Sequence, residues 1–309
     1  MNRPSAAARR KYETSHRAAP SPVFGSVKLT HAERKVFPDG KSKADVARYY
    51  AAVMPQLLAA IANRPLSIVR CPDGIGAACF FQKHMTAGFR LVHSARLHEE
   101  SGGSASYLYV HSADEVFELV QFNVLEFHPW PALIEDTDHT DLLVFDLDPG
   151  PGVTWSRVIA AAQLLHERCT AEGLTSFLRT SGGKGLHVVV PLRPAAPWSA
   201  AKEFAQGFAY SIAESHPRDF IATASKQRRQ GKIFIDYLRN TRGATSIASY
   251  SLRARPGAPA ATPLRWDELP HLKSAAFFTI RNVPARLRSL HADPWQGFDE
   301  VEQGLDGKT

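Results

Sequence analysis

The sequence has few cysteines and no long apolar run, and each absence excludes a class of protein. The three cysteines, Cys71, Cys79 and Cys169, are an odd number without CxxC spacing. This argues against a disulfide scaffold and a zinc ribbon, and it fits a reducing cytoplasm. No apolar stretch is long enough to cross a bilayer, and the basic N-terminus lacks the apolar segment of a secretory signal, so we expect no membrane association. With 309 residues, 44% of them hydrophobic, we expect one large globular domain or two packed together.

The net charge of +7 is unevenly distributed along the chain. Residues 1–43 carry ten Lys or Arg against three acids, residues 225–255 carry eight against one, and residues 293–309 carry five acids against one Lys. Two basic clusters suggest a polyanionic partner, although a solvated basic face explains such a charge run equally well. We predict a disordered basic arm over residues 1–24 and an acidic C-terminal tail over residues 291–309.

The hydrophobic pattern predicts an α+β fold rather than a regular βαβ array. A helix is expected from Ser42 to Asn63, with Ser42 as its N-cap and Pro65 after its end. Further helices are predicted over Thr154–Glu172 and over Ser199–Ser215, the latter capped by Ser199. Strands are predicted at Leu66–Arg70, Cys79–Lys83, Ser106–His111, Leu119–Phe127, Asp141–Asp148, Ser176–Thr180, Leu186–Leu192, Ile233–Leu238 and Ser246–Leu252.

Asp146 and Asp148 form the first candidate site. Side chains alternate along a strand, so both carboxylates face the same side of what the apolar neighbours predict to be a buried strand. Two such carboxylates repel each other unless a cation lies between them, and oxygen ligands suit Mg²⁺ or Mn²⁺. The alternative is a pair that caps the Pro-Gly turn after the strand, because the DxD pattern alone is a weak signal.

Asp236 is a third carboxylate, alone inside an apolar strand and surrounded in sequence by cations. A salt bridge to Arg229 or Arg239 would account for it structurally. Three aspartates on two apolar strands are also what a two-metal phosphoryl-transfer site requires, since carboxylates bridge the two ions. Apolar walls would strengthen the effect of the metal charges.

A glycine-rich segment, Thr180–His187, lies between these acids in the sequence. Its three glycines allow backbone N–H groups to approach a phosphate closely, and Lys184 adds a positive charge. His187 can reach the same phosphates or the sugar. The spacing is not that of a Walker A loop. Taken alone, the segment is more simply a glycine hairpin between strands, but beside three acids it favours a triphosphate cradle.

Together these segments resemble the polymerase domain of bacterial ATP-dependent DNA ligase D, which belongs to the archaeo-eukaryotic primase superfamily. The resemblance covers about Lys28 to Leu290. The motifs that carry it are Asp-Leu-Asp-Pro-Gly, Ser-Gly-Gly-Lys-Gly-Leu-His and Phe-Ile-Asp-Tyr-Leu-Arg-Asn, with further matches at Arg64–His84, Leu125–His128 and Ser249–Pro256. It implies a primase-like catalytic domain over residues 25–290, with an N-terminal helical and β subdomain of about residues 25–110.

The resemblance also implies an activity. Such enzymes are template-directed nucleotidyltransferases of bacterial non-homologous end joining, which fill gaps and extend DNA ends with NTPs or dNTPs, preferring ribonucleotides. Two divalent ions, Mn²⁺ or Mg²⁺, are implied at Asp146, Asp148 and Asp236. The residues implied around the incoming nucleotide are His128, Ser181, Lys184, His187, Arg229 and Arg253.

Four further residues are implied to contact DNA. Phe80 and Phe81 match an aromatic pair that stacks on template bases, although such a pair alone more often indicates core. Arg34 and Lys43 match the basic positions that bind a 5′-phosphate across the gap. His31 and Arg34 stand where relatives have Asn and Lys, so the phosphate contacts are expected to be kept with altered geometry. The loop from His128 to the first catalytic acid is also shorter than in some relatives.

Two other function classes stay open. One is a primase that starts chains without a primer, and the other is a non-catalytic module that tethers DNA ends. A repulsive acid cluster argues against the tethering module, because it would weaken binding to DNA phosphates.

No nuclease or ligase segment is recognisable within the chain. This indicates an excised domain or, as Met1 and the basic arm favour, a stand-alone polymerase. The expected partners are gapped or broken DNA, NTP or dNTP, Ku and a separate ATP-dependent ligase. The expected location is the cytoplasm, at the bacterial nucleoid.

Overall fold

The N-terminal end of the chain differs from the sequence expectation where the structure describes it. The computed structural model describes residues 21–99 and 102–308, so most of the predicted basic arm, residues 1–20, lies outside the described residues. Strand β1 (Val23–Phe24) occupies the end of that arm and pairs with β2 (Val27–Lys28). In the described chain, no helix combines the length and the apolar character needed to cross a membrane.

Helix α1 (Lys43–Ile61) begins directly after Ser42, as predicted. The Ser42 hydroxyl accepts the backbone N–H of Asp45, and the Asp45 carboxylate accepts the backbone N–H of Ser42, so the two residues cap the helix reciprocally. The apolar residues at helical spacing are all at most 1% exposed: Val46, Tyr50, Val53, Leu57 and Ile61. This face packs into the core, and the Tyr50 hydroxyl donates to the carbonyl of Leu125.

The first half of the chain also forms a five-stranded antiparallel sheet. Its strands are β3 (Leu66–Arg70), β4 (Phe80–Gln82), β5 (His93–His98), β6 (Ser104–Tyr109) and β7 (Val124–Pro129). Strand β3 pairs with β4, β6 and β7, and β5 pairs with β6. Strand β5 was not predicted from the sequence. The sheet also extends to Pro129, beyond the residues 25–110 expected for the N-terminal subdomain.

The prediction of a strand over Leu119–Phe127 was wrong for its first half. Helix α2 (Ala113–Gln121) ends within this segment and β7 begins shortly after it. The two elements are separated by Asn123, whose φ of 60° lies in the left-handed region that asparagine tolerates. The sequence hid this boundary because apolar residues continue across it and are buried on both sides.

The second half of the chain forms a six-stranded sheet that carries the acidic motifs. Its strands are β8 (His139–Pro149), β9 (Phe177–Thr180), β10 (Leu186–Pro197), β11 (Phe220–Ile221), β12 (Ile233–Asp236) and β13 (Pro263–Leu264). Their order is β11-β12-β8-β10-β9-β13, and every pairing is antiparallel except β11 with β12. Helices α3 (Trp155–Ala171) and α4 (Trp198–Ser215) pack on β8 and β10, and α5 (Val283–Ser289) packs on α1.

Two further local predictions were wrong. Helix α4 is preceded by Pro197 as its N-cap rather than Ser199, which lies inside its first turn. The segment Ser246–Leu252 is not a strand but an irregular loop. Tyr250 in this loop has a φ of 65°, and its N–H donates to the carbonyl of Ala261. Such a conformation interrupts an extended ladder.

The acidic segment 291–309 packs on the core over its described residues. The Trp295 indole N–H donates to the carbonyl of Leu178 at 2.7 Å, and the Gln303 amide donates to the carbonyl of Thr175 at 2.9 Å. Apolar and amide side chains therefore hold this segment against the sheet, and its acids lie at the surface.

Two of the three cysteines are bonded to each other, although their odd number and spacing argue against a disulfide scaffold. Cys71 and Cys79 form a disulfide, and Cys169 is buried and free. Strands β3 and β4 pair Arg70 with Phe80, so their neighbours, the two cysteines, are brought together across a short loop. The two cysteines lack CxxC spacing, because the pairing of β3 with β4 rather than a short sequence motif brings them together.

Candidate active site

A row of four charged or polar residues crosses four adjacent strands of the six-stranded sheet. Asp146 of β8 lies directly opposite Asp236 of β12 on one side and His187 of β10 on the other. His187 in turn lies opposite Arg179 of β9. Directly opposed residues of paired strands project from the same face, so all four side chains point the same way.

Asp148 completes an acidic triad with Asp146 and Asp236. One carboxylate oxygen from each of the three residues lies within 4.8 Å of the others. Burial, together with the negative charges of the other two, raises the pKa of Asp148 to about 6, and burial also raises the pKa of Asp236. Three converging carboxylates are a donor set that fits a hard divalent cation, whose charge would remove this repulsion.

His187 and Arg179 fix the orientation of Asp146. The Arg179 Nε–H donates to Nδ1 of His187 at 3.2 Å, and the His187 Nε2 lies 3.4 Å from Oδ1 of Asp146. Arginine can only donate, so Nδ1 carries the lone pair and the ring proton of a neutral imidazole faces the aspartate. Burial lowers the pKa of His187 and favours this neutral form. Arg179 was not singled out by the sequence.

Two further arginines flank the triad. The Arg239 Nη2 lies 3.0 Å from Oδ2 of Asp236, and its Nε lies 3.8 Å from Oδ2 of Asp146. Although burial alone would raise the pKa of Asp146, His187 and Arg239 outweigh it and the pKa is lowered. Arg229 lies 3.6 Å from Asp148, with its guanidinium over the ring of Phe234 at 4.0 Å.

The glycine-rich turn is organised by its own serine. The Ser181 hydroxyl donates to the carbonyl of Gly185 and accepts the N–H groups of Gly183 and Gly185. Ser181 is buried, so the structure places it as a support of the turn, with Lys184 exposed at the tip. A Cβ at Gly185 would lie 2.0 Å from the carbonyl oxygen of Leu147, so only glycine allows this approach to β8.

Glu126 is a site residue that sequence reasoning missed. Its carboxylate accepts from Nε2 of His128 at 2.8 Å and from the N–H of Ala254 at 2.7 Å, and it lies 3.0 Å from Nε of Arg253. Burial disfavours its charge, but His128 and Arg253 bring the pKa of Glu126 down to about 2. The sequence does contain a signal for Glu126: it lies two residues before His128, and the two side chains therefore share one face of a strand.

A groove of about 500 Å³ joins these parts. Arg253 links them, since its Nη1 donates to the carbonyl of Ser181 while its Nε faces Glu126. The groove is lined by cationic side chains as well as by the acids of β8, as a site for a metal-bound polyanion requires. The charged and aromatic lining comprises Phe81, His128, Asp146, Asp148, Lys184, His187, Arg239, Arg253 and Arg255.

The predicted DNA-contacting residues lie in different settings. Phe80 and Phe81 are 46% and 47% exposed; Phe81 meets the edge of His128, and Phe80 lies under the guanidinium of Arg70. They are therefore exposed aromatics rather than core.

Arg34 and Lys43 are neighbours, but only one of them is accessible. The Arg34 side chain is 39% exposed and donates to the carbonyl of Pro72 at 2.7 Å. Lys43 is 3% exposed, and its ammonium donates to the carbonyls of Thr30 and Gln121. Burial, with the nearby charge of Arg34, lowers the pKa of Lys43 to about 8. The structure thus gives Lys43 a structural setting.

Comparison with known proteins decides the family. Residues 42–295 match the family described as LigD, primase-polymerase domain. The chain belongs to this family. Among solved structures it resembles the polymerase domain of Mycobacterium tuberculosis ligase D in complex with DNA, with a TM-score of 0.82 and 30% identity over 90% of this chain and 99% of that one. The α+β, archaeo-eukaryotic primase-like fold is thereby confirmed, and so is the nucleotidyltransferase class of the LigD primase-polymerase domain.

Longer relatives share this domain. The multifunctional non-homologous end joining protein LigD of Pseudomonas aeruginosa is 38% identical over 282 residues, which are 90% of this chain and 34% of that protein. The LigD of Mycolicibacterium smegmatis is 33% identical, over 82% of this chain and 34% of that protein. The chain therefore spans about a third of the length of these curated relatives. Membership of the LigD primase-polymerase family, together with the acidic triad, implies the use of a divalent metal.

Proposed function

We propose that the chain is a template-directed polymerase of bacterial DNA end joining, which adds nucleotides to a primer 3′-hydroxyl at gaps and broken ends. The observation that carries the proposal is the convergence of Asp146, Asp148 and Asp236 beside a groove that is lined by cationic side chains. A tethering module would gain nothing from this acid cluster, because it repels DNA phosphates.

The three aspartates are proposed to hold two divalent ions, Mn²⁺ or Mg²⁺. When bound, such ions lower the pKa of the attacking hydroxyl and stabilise the leaving phosphate oxygens. The protein's own part is to hold the carboxylates in place. His187 and Arg239 both contact Asp146, and Arg239 also contacts Asp236. These contacts hold the carboxylates of Asp146 and Asp236 in position.

The incoming NTP or dNTP is proposed to lie against the cationic side chains that line the groove. Lys184, at the exposed tip of the glycine turn, and Arg253 and Arg255 would neutralise the triphosphate. Glu126 keeps Arg253 and His128 pointed into the groove by pairing with both. Ser181 shapes the turn. Arg229, whose guanidinium lies over Phe234 and 3.6 Å from Asp148, is proposed to add positive charge near the phosphates.

The DNA is proposed to enter past the exposed aromatic strand. Phe81 borders the groove and is suited to stack on the template base, because an aromatic face accepts any base. Arg34 offers the accessible guanidinium for a downstream 5′-phosphate, and Lys43 supports the loop that carries it. Ku, a separate ATP-dependent ligase, and a location at the nucleoid in the cytoplasm follow from the proposed end-joining role.

The decisive experiment is primer extension on a short gapped duplex, with and without a downstream 5′-phosphate, comparing NTPs with dNTPs in Mn²⁺ and in Mg²⁺. We expect metal-dependent addition that the 5′-phosphate stimulates, with ribonucleotides preferred. Products on unprimed single strands without gap filling would make the chain a primase. Absence of synthesis on both substrates, with DNA binding retained, would leave the tethering module.

A further inference from the structure

Asn240 is the last residue of a short 3₁₀ helix, Leu238–Asn240, which follows strand β12. The residue is fully buried. Its neighbour Arg239 contacts two acids of the triad, at 3.0 Å from Asp236 and 3.8 Å from Asp146. Asn240 is therefore the buried end of the segment that brings a guanidinium to the proposed metal ligands.

The amide of Asn240 continues the hydrogen bonding of β8 where β12 ends. The last residue pair of that ladder is Asp236 with Asp146. Two residues before Asp146, the backbone N–H of Val144 donates to Oδ1 of Asn240 at 2.7 Å, and the Val144 carbonyl accepts from Nδ2 at 3.0 Å. The side chain thus makes both hydrogen bonds that a further residue of β12 would make.

The same amide also holds the 3₁₀ helix itself. Nδ2 of Asn240 donates to the carbonyl of Tyr237 at 2.9 Å, and the backbone N–H of Asn240 donates to that carbonyl at 3.0 Å. At the other end, Oδ1 of Asp236 accepts the N–H of Leu238 at 3.1 Å. The 3₁₀ helix is therefore fixed at both ends, and Arg239 lies between the two fixed points.

The chemistry of the asparagine side chain matches the backbone groups around it. Two of these groups are carbonyls that need a donor, and one is an N–H that needs an acceptor. An amide offers both from one short side chain, whereas a carboxylate only accepts and an apolar side chain does neither. Leaving a buried backbone group without its partner costs free energy, so this amide determines where the 3₁₀ helix lies against β8.

The position of Arg239 depends on this backbone support. Its side chain is 37% exposed, and apart from the two acids it bonds, within residues 21–99 and 102–308, to the carbonyl of Thr245 alone, at 3.3 Å. A long side chain keeps much of its rotamer freedom unless fixed groups hold it. The backbone of the 3₁₀ helix therefore sets the reach of this guanidinium to the triad.

We propose that Asn240 is a positioning residue for nucleotide addition, and that it acts by holding the Arg239 guanidinium against Asp146 and Asp236. This inference rests on the proposed function of the triad. One amide bonds β8 two residues before Asp146 and also bonds the 3₁₀ helix that carries Arg239, so it fixes the one relative to the other. A change of this amide moves the guanidinium relative to the acids.

The position of the guanidinium is followed directly by ¹⁵N spectra of the full chain without metal. Nε of Arg239 is buried, and its N–H signal is the one that Arg239→Gln removes. We expect this signal to shift in Asn240→Ala and to stay in place in Asn282→Ala. Asn282 is the matched control, because its amide also bonds two backbone groups, the N–H of Thr279 and the carbonyl of Phe277, but just before α5. Asn240→Ser, whose hydroxyl still donates and accepts, takes the place of Asn240→Ala if that variant does not fold.

Primer extension tests whether Asn240 acts through Arg239. Asn240→Ala should lower kcat by about tenfold, the lower end of the effect of losing a group that orients a metal ligand, and leave the affinity for gapped DNA unchanged. The double variant Asn240→Ala with Arg239→Gln should be no slower than Arg239→Gln alone, because the two changes remove the same contact.

Two results would overturn the proposal. One is an Arg239 signal that stays in place in Asn240→Ala, which would mean that the amide supports only the fold. The other is a double variant whose loss of rate is the product of the two single losses, which would mean that the two residues act separately. Absence of primer extension by the wild type would refute the proposed function instead, and the spectra would still decide whether Asn240 holds Arg239.

Discussion

His187 and Asp146 face each other across the β10–β8 pair, with the imidazole Nε2 3.4 Å from the carboxylate, and Arg179 fixes the ring from its other side. Three adjacent strands therefore determine where one proposed metal ligand points. The outer residue of this relay, Arg179, is buried and does not itself line the groove, but it donates to His187 and Ser246, which do. A change at Arg179 therefore acts on the groove through the residues that it holds.

Arg179→Gln should slow nucleotide addition by about 10- to 100-fold, the usual effect of removing a residue that orients a metal ligand. The apparent Mn²⁺ affinity, measured from the metal dependence of primer extension, should fall with it. Affinity for gapped DNA, measured by fluorescence anisotropy, should stay the same. Arg179→Lys keeps a donor near Nδ1 and should recover part of the rate. Equal loss in both variants with a lowered melting temperature would mean that Arg179 supports only the fold.

Asp146→Ala should abolish nucleotide addition. DNA binding should be retained or become tighter, because one negative charge near the phosphates is removed. The matched control is Asp138→Ala, an exposed acid whose side chain is 85% accessible, and it should extend primers as the wild type does. Primer extension and anisotropy on the same gapped duplex separate the two effects. Loss of DNA binding together with activity would contradict the assignment of the triad.

Asp148→Asn should stabilise the metal-free protein at neutral pH. The pKa of Asp148 is raised to about 6 in the fold against an unfolded value of 3.8. Its ionised form is therefore disfavoured in the native state, and this cost is complete above pH 6 and absent below about pH 4. We expect a melting temperature higher by about 2 °C at pH 7.5 for this partly exposed carboxylate, and no difference near pH 4. The opposite pH trend in calorimetric melts would show that Asp148 gains, rather than loses, from ionisation.

Phe81→Ala should weaken binding of a template with an unpaired base by about 5- to 100-fold, the range for losing one stacked base. Phe277→Ala is the matched control, because Phe277 is similarly exposed, at 43% against 47%, but does not line the groove. Anisotropy with gapped and with fully paired duplexes measures the difference. An equal effect of both changes would mean that exposure to solvent, and not the position beside the groove, accounts for the loss.

Arg34→Ala and Lys43→Ala should separate phosphate recognition from stability. Arg34→Ala should remove most of the stimulation by a downstream 5′-phosphate and leave the melting temperature nearly unchanged. Lys43→Ala leaves two backbone carbonyls without their donor and should destabilise the fold by about 1–3 kcal/mol. Phosphate-dependent extension and chemical unfolding test both. A stable Lys43→Ala protein that no longer responds to the 5′-phosphate would show that Lys43 contacts the phosphate directly.

The sequence predicted those parts of the site that local patterns determine. Strand alternation placed Asp146 and Asp148 on one face, and the apolar setting of Asp236 brought it to them, as the geometry of β8 and β12 bears out. The sequence does not indicate a role for Arg179, because a lone arginine in a strand matches no local pattern. Only the pairing of β9 with β10 places it beside His187.

The fold could be predicted from the sequence where apolar residues follow a single helical or strand periodicity. Helix α1 has a capping serine, a regular apolar face and a proline after it, and its bounds were nearly correct. The change from helix to strand at Asn123 was missed, since buried apolar residues continue on both sides of it. The apolar content of the residues near Tyr250 predicts a strand. The positive φ of Tyr250, which long-range hydrogen bonds fix, prevents a strand from forming there.

The row formed by Arg179, His187, Asp146 and Asp236 makes activity depend on strand register. One residue from each of four strands must meet its neighbour, and a slip of one position in β10 would replace His187 with Val188 and turn the imidazole to the opposite face. A chain with native-like secondary structure and one misregistered strand would therefore be inactive. During refolding, recovery of nucleotide addition should follow the slowest strand pairing of the six-stranded sheet. The time at which enzyme activity returns therefore measures when this sheet is complete.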